Sequence, residues 1–173
     1  TTADAEGHWS LTISPLADGD YSLTAQATDA ALNTGTASSA GTYTVDTVAP
    51  ALTSATLISD NATPTLAKAG DVVTLNFTAD ETLQTPTVTL AGESATANFD
   101  SGTNTWTATR TVAAGDAEGA VTFSIAYRDV AGNAGTTVSA TTDSSAVTID
   151  LTAPETTITA QPASLSASAS ATF

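Results

Sequence analysis

The sequence contains no cysteine and no methionine, a single histidine (His8), and only three basic residues, Lys68, Arg110 and Arg128. Each absence removes a class of chemistry. Without cysteine there is no disulfide framework, no thiolate zinc site and no thiol nucleophile, and one histidine cannot build a cluster of imidazole ligands. Eighteen acidic residues leave the 173-residue chain with a formal charge of −15. Such a chain repels phosphate backbones and anionic lipid heads, so neither nucleic-acid nor membrane-surface binding is expected. No apolar run approaches the roughly 18–20 residues of a membrane span, and no basic stretch leads into an apolar one at the N-terminus. Charged residues make up 12% and apolar residues 41% of the chain, below globular averages of roughly 25% and 45–50%. Threonine, alanine and serine fill the difference, and the lack of any methionine reads as a piece of a longer product.

What is present is alternation. Apolar and β-branched residues recur with period two almost throughout, which disordered chains do not show, and the fold class expected is all-β. Within residues 47–150, strands are predicted near 52–58, 72–79, 86–91, 95–99, 104–112, 120–128 and 145–150, with Gly, Pro, Asn or Asp between them. Val73, Leu75, Phe77 and Ala79 share one face of the second, and Val121, Phe123, Ile125 and Tyr127 one face of the sixth. One face is buried and the other wet, as antiparallel sheets allow. About seven short strands in this length is the count of a constant-type immunoglobulin-like sandwich, its core filled by Trp106, the phenylalanines and the β-branched set.

The chain also repeats. Asp29-Ala30-Ala31-Leu32-Asn33-Thr34-Gly35-Thr36 returns 100 residues later as Asp129-Val130-Ala131-Gly132-Asn133-Ala134-Gly135-Thr136. Val45-Asp46-Thr47-Val48-Ala49-Pro50 returns after 104 residues as Ile149-Asp150-Leu151-Thr152-Ala153-Pro154, and Trp9 matches Trp106 at an offset of 97. A period this long fits whole domains in tandem rather than solenoid repeats. Residues 1–46 read as the C-terminal half of one domain, 47–150 as a complete domain, and 151–173 as the start of a third. The Pro in each junction holds the chain extended and restricts the linker.

The Asp-Thr-x-Ala-Pro junction, the Trp-bearing strand, the run Ala17-Asp18-Gly19-Asp20-Tyr21-Ser22-Leu23-Thr24-Ala25 and the Asp-x-Ala-Gly-Asn hairpin at 129–133 resemble the bacterial Ig-like repeats of large surface adhesins and biofilm-associated proteins. The resemblance covers essentially the whole chain; Leu32 replaces the usual glycine in the first copy of the hairpin, so a different turn is expected there. It implies an extracellular, cell-surface location and a stalk of repeats that carries an adhesive domain outward, with neighbouring repeats as partners. It also implies calcium at domain junctions.

The carboxylates bear on that point directly. In a sandwich of this order, Asp46, Asp80, Glu81, Asp100 and Asp129 fall toward one pole, facing Asp18 and Asp20 of the preceding domain, and a second junction collects Asp116, Glu118, Asp150 and Glu155. Two like charges 4 Å apart cost about 4 kcal/mol at an effective dielectric of about 20, so convergence calls for a cation. Calcium, with six to eight oxygen ligands, fits best. The alternative is that these residues simply form turns.

Other patterns carry less. Trp9 and Trp106 are expected in the core rather than on a sugar-stacking platform, and outward threonines such as Thr87, Thr89, Thr107 and Thr109 suit ordinary strands. His8, on a strand beside Trp9, has no second histidine for a relay, and no G-x-S-x-G elbow occurs. A Lys–Asn isopeptide crosslink would need Lys68 buried, which its polar surroundings oppose. The expected function is a non-catalytic spacer, with a carbohydrate- or protein-binding module as the alternative; exposure of Trp106 separates the two.

Overall fold

A computed structural model describes residues 2–157. Among them are twelve strands and no helix: β1 (Gly19–Leu23), β2 (Gly41–Val45), β3 (Leu52–Ser59), β4 (Leu66–Ala67), β5 (Val72–Ala79), β6 (Thr87–Leu90), β7 (Glu93–Ala95), β8 (Ala97–Asp100), β9 (Thr105–Thr111), β10 (Gly119–Ala120), β11 (Phe123–Ala126) and β12 (Thr148–Ile149). The alternating segments 158–173, which the sequence assigns to the third domain, lie outside the described residues.

Two layers form between residues 52 and 149. One is the four-stranded sheet β3-β5-β9-β8, the A-B-E-D order of an immunoglobulin-like sandwich. The other holds β7-β6-β11 and, continuing through Val121 and Thr122, β10-β12-β4. Phe77, Leu75 and Ala108 from the first layer join Leu90, Ile125 and Val147 from the second in one buried cluster. The β6–β7 hairpin turns through Ala91 and Gly92, both at positive φ, as a two-residue primed turn requires.

The predicted strand 120–128 is two pieces, because the chain pairs first with β12 and then with β6. The predicted strand 95–99 likewise divides, and the chain changes sheet at Thr96 between β7 and β8. Strand β4, unmarked in the sequence, runs parallel to β12.

The internal repeat is a repeat of register. Gly19 pairs with Val45 as Gly119 pairs with Ile149, and Asp20 with Thr44 as Ala120 with Thr148. The residue at position 32 keeps the turn rather than changing it, since Leu32 takes φ 69° where Gly132 takes φ 104°. Two expectations for residues 1–46 do not hold. Trp9 is 54% exposed while Trp106 is 8% exposed, because the described residues before 47 form only the two-stranded sheet β1-β2, with no opposing layer to cover the ring. His8 lies on no strand; it closes a turn in which the Asp4 carboxylate accepts the backbone N–H groups of Glu6 and His8.

Candidate functional site

The linker between the two repeats is held from both sides. From the preceding unit, Asp18 Oδ1 accepts the Thr47 N–H at 3.1 Å and the Thr47 hydroxyl at 2.7 Å. From the following unit, the Asn133 side-chain amide donates to the Asp46 carbonyl at 3.0 Å, and Asp80 Oδ1 accepts the Ala51 N–H at 2.8 Å. Asp46 Oδ1 accepts the Val48 N–H, closing a turn within the linker. The second junction repeats the preceding side of the grip. Glu118 Oε1 accepts the Leu151 N–H at 2.8 Å and the Thr152 hydroxyl at 2.7 Å, and Asp150 Oδ1 accepts the Thr152 N–H at 3.0 Å.

Asn133 can reach back because Asp129 fixes it. Asp129 is wholly buried; its Oδ1 accepts the Gly132 and Asn133 N–H groups, and its Oδ2 accepts the Asn133 side chain at 2.7 Å. Burial raises its pKa, yet these hydrogen bonds outweigh burial and hold the carboxyl below its ordinary value. In the first copy Asp29 makes the matching bonds to the Asn33 N–H and side chain, while its other backbone donor is Ala31, one position nearer than Gly132 is to Asp129.

Around this turn, one carboxylate oxygen each from Asp46, Glu81 and Asp129 lie within 4.8 Å of one another. Burial first, then the charges of Asp46, Asp129 and Asp80, push the Glu81 carboxyl up. The donor set is oxygen only, which is the chemistry of a hard cation such as calcium. Most of the other acids named from the sequence are engaged by partners of their own, Asp80 among them although its charge still reaches Glu81. Asp20 accepts the Thr44 hydroxyl and Asp100 closes the turn at Gly102 and Thr103. Asp116 forms a two-point ion pair with Arg110 at 2.6 and 2.8 Å, and Asp18, Asp80, Glu118 and Asp150 hold linker backbone. Lys68 is 69% exposed and held by Asp71 at 3.1 Å.

Sequence reasoning quoted Asn133 as part of the hairpin but did not assign it the linker. Its signal was available: asparagine stands four residues after the aspartate in both copies.

Together the layers define an immunoglobulin-like β-sandwich, preceded by a linker that is gripped from both sides. Residues 1–47 match the family model described as a bacterial Ig-like domain, and over that span the chain is similar to a module found as a repeat in surface proteins. The register and turn of 19–33 recur at 119–133. The family is a non-catalytic structural one, and its members typically occur in extracellular surface proteins. No curated protein matches the chain. Among the described residues, no helix is long and apolar enough to cross a membrane.

Proposed function

We propose that this chain is a spacer segment of a secreted bacterial adhesin, with a complete unit at 47–150 between parts of two others, serving adhesion or biofilm formation by extending a stalk. The observation that carries this reading is the linker held by Asp18 on one side and by Asn133 and Asp80 on the other. A tether fixed at both ends transmits orientation from unit to unit, which a spacer needs and an isolated binding module does not. Eight-residue strands such as β5, at about 3.3 Å per residue, give each unit a reach of about 26 Å. Burial of Trp106 favours the spacer over a module that stacks sugar on that ring.

In the same reading, calcium at the Asp46, Glu81 and Asp129 carboxylates stiffens the junction by neutralising their mutual repulsion. Calcium titration of the 173-residue chain against thermal unfolding and small-angle scattering tests it. Saturation at a hundred times the Kd contributes about 2.7 kcal/mol, so the unfolding midpoint rises and the particle lengthens; Asp46→Asn abolishes both changes. An unmoved midpoint at millimolar calcium refutes the metal and leaves a junction held by hydrogen bonds alone.

A further inference from the structure

Beside the junction lies a cleft of which the spacer reading uses only one residue, Glu81. It has a volume of about 280 Å³ and sits between the loop 80–85 and strand β8. Phe99 forms its wall. On β8, Phe99 shares the inward face with buried Ala97, but it stands past the end of the core and remains 48% exposed. It pairs across the sheet with Trp106, ring centroids 5.0 Å apart and tilted by 41°, and Trp106 in turn stacks on Phe77. An aromatic surface is thus held rigid from behind and open in front.

Glu81 lines the same cleft, with the amide side chains of Gln84 and Asn104 and the hydroxyl of Thr82. Among the described residues Glu81 accepts no hydrogen bond, whereas Asp46 and Asp129 beside it are both engaged. Among the described residues no cation pairs with Glu81. Lys68 is committed to Asp71, Arg110 to Asp116, and Arg128 donates to the Gly132 carbonyl. An unengaged carboxylate, an exposed aromatic face and several amide and hydroxyl acceptors therefore converge on one cavity of strongly negative surroundings.

We propose that this cleft is a recognition pocket for an arginine side chain presented by a basic peptide segment of a partner protein. A guanidinium is planar: it stacks on an aromatic face and forks two N–H groups onto a carboxylate, while its remaining N–H groups reach amide or hydroxyl oxygens. An ammonium lacks the fork, and a neutral sugar leaves the Glu81 charge uncompensated.

The test titrates the 15N-labelled 173-residue chain, in chelator, with a capped Gly-Arg-Gly peptide, the matching citrulline and lysine peptides, and methyl glucoside. The arginine peptide shifts the Trp106 indole N–H and the Asn104 side-chain amide in a saturable, millimolar manner, and citrulline, isosteric but neutral, does not. Glu81→Gln and Phe99→Ser each weaken the affinity by about fivefold or more, with thermal unfolding confirming that each variant is folded. The lysine peptide binds more weakly than the arginine one. Absence of a saturable shift with arginine, an equal response to citrulline or lysine, or a stronger response to methyl glucoside overturns the proposal.

Discussion

A methyl group added at Gly135 tests how the following unit seats its linker. Gly135 lies under the ring of Tyr127, and a Cβ built there would come 2.2 Å from Tyr127 Cε2, 2.5 Å from Cζ and 2.8 Å from the Pro50 carbonyl oxygen. Neither neighbour yields easily. The ring is buried, its hydroxyl accepts the Leu52 N–H at 3.3 Å, and the carbonyl belongs to the linker backbone. Overpacking a filled core costs about 1–3 kcal/mol, and displacing the tyrosine hydroxyl adds about 1 kcal/mol. Gly135→Ala should therefore lower stability by about 2–4 kcal/mol, a fall of about 10–20 °C in Tm for a unit of this size. The readout is denaturant and thermal unfolding followed by Trp106 fluorescence in a Trp9→Phe background, since Trp9 is exposed and would obscure the transition. Gly115→Ala is the control: it has no positive φ and nothing within 4 Å of the added Cβ, so it should stay within about 0.5 kcal/mol of the parent or gain slightly. If Gly135→Ala were as stable as Gly115→Ala, Tyr127 would not be packed on Gly135, and the account of how Pro50 and Leu52 are positioned would be wrong.

Gly132→Leu, which puts into the second hairpin the residue the first already carries, should cost about 1–2 kcal/mol, the price of a left-handed conformation for a side-chain-bearing residue. A Cβ at 132 meets nothing within 4 Å, so amide exchange at Asn133 should show the Asp129 hydrogen bonds intact; their loss would mean that the turn needs glycine for more than its φ. Acid sensitivity should centre on Asp71, whose pKa is lowered from 3.8 to about 2, first by the Asn61 side chain and then by the Lys68 N–H. A depressed carboxyl contributes stability above its unfolded pKa and loses it as pH falls through its folded one, so this contribution disappears between pH 3.8 and about 2. Carbon-detected NMR titration should find Asp71 titrating near 2 and, in Asn61→Ala, closer to 3.8; an unchanged value would discount the Asn61 bond.

The strands that the sequence made legible are those whose alternation runs on a single sheet. Val73, Val88 and Trp106 sit on such strands, and each is buried as its period-two pattern implies. What stayed hidden are the crossing between layers at Thr96 and the change of pairing partner at Val121–Thr122, because alternation records which side is buried and not which neighbour a strand pairs with. Trp9 shows the complementary failure. It matches Trp106 in sequence, but burial of a side chain depends on an opposing layer that the described residues before 47 do not provide. Loop order alone puts Asp46, Asp80, Glu81, Asp100 and Asp129 toward one pole, of which oxygens of Asp46, Glu81 and Asp129 lie within 4.8 Å of one another; the turn bonds of Asp100 and the Arg110 contact of Asp116 were not legible, since they act within each loop.

The acidity of the chain also has a physical use that a charge count conceals. Loops between short strands leave backbone N–H groups without ladder partners, and an aspartate near the turn supplies an acceptor for them. Asp4, Asp29, Asp46, Asp60, Asp71, Asp80, Asp100, Asp116, Asp129, Asp143 and Asp150 all accept a backbone N–H. A fold can carry this much negative charge with three cations because the positive ends of its own peptide groups offset part of it. Among the described residues Glu81, like Glu6, Glu93 and Glu155, accepts no backbone N–H, and of these four it is the one in the triad. It joins two carboxylates that are already engaged, accepts no hydrogen bond among the described residues, and has its ionised form disfavoured by burial and by its neighbours' charges. A carboxylate that gains nothing from the fold is the one from which an external cation gains most. The choice between a calcium ion shared with Asp46 and Asp129 and a guanidinium lying against Phe99 is therefore a choice about what neutralises Glu81, and the two titrations, in calcium and in chelator, decide it separately.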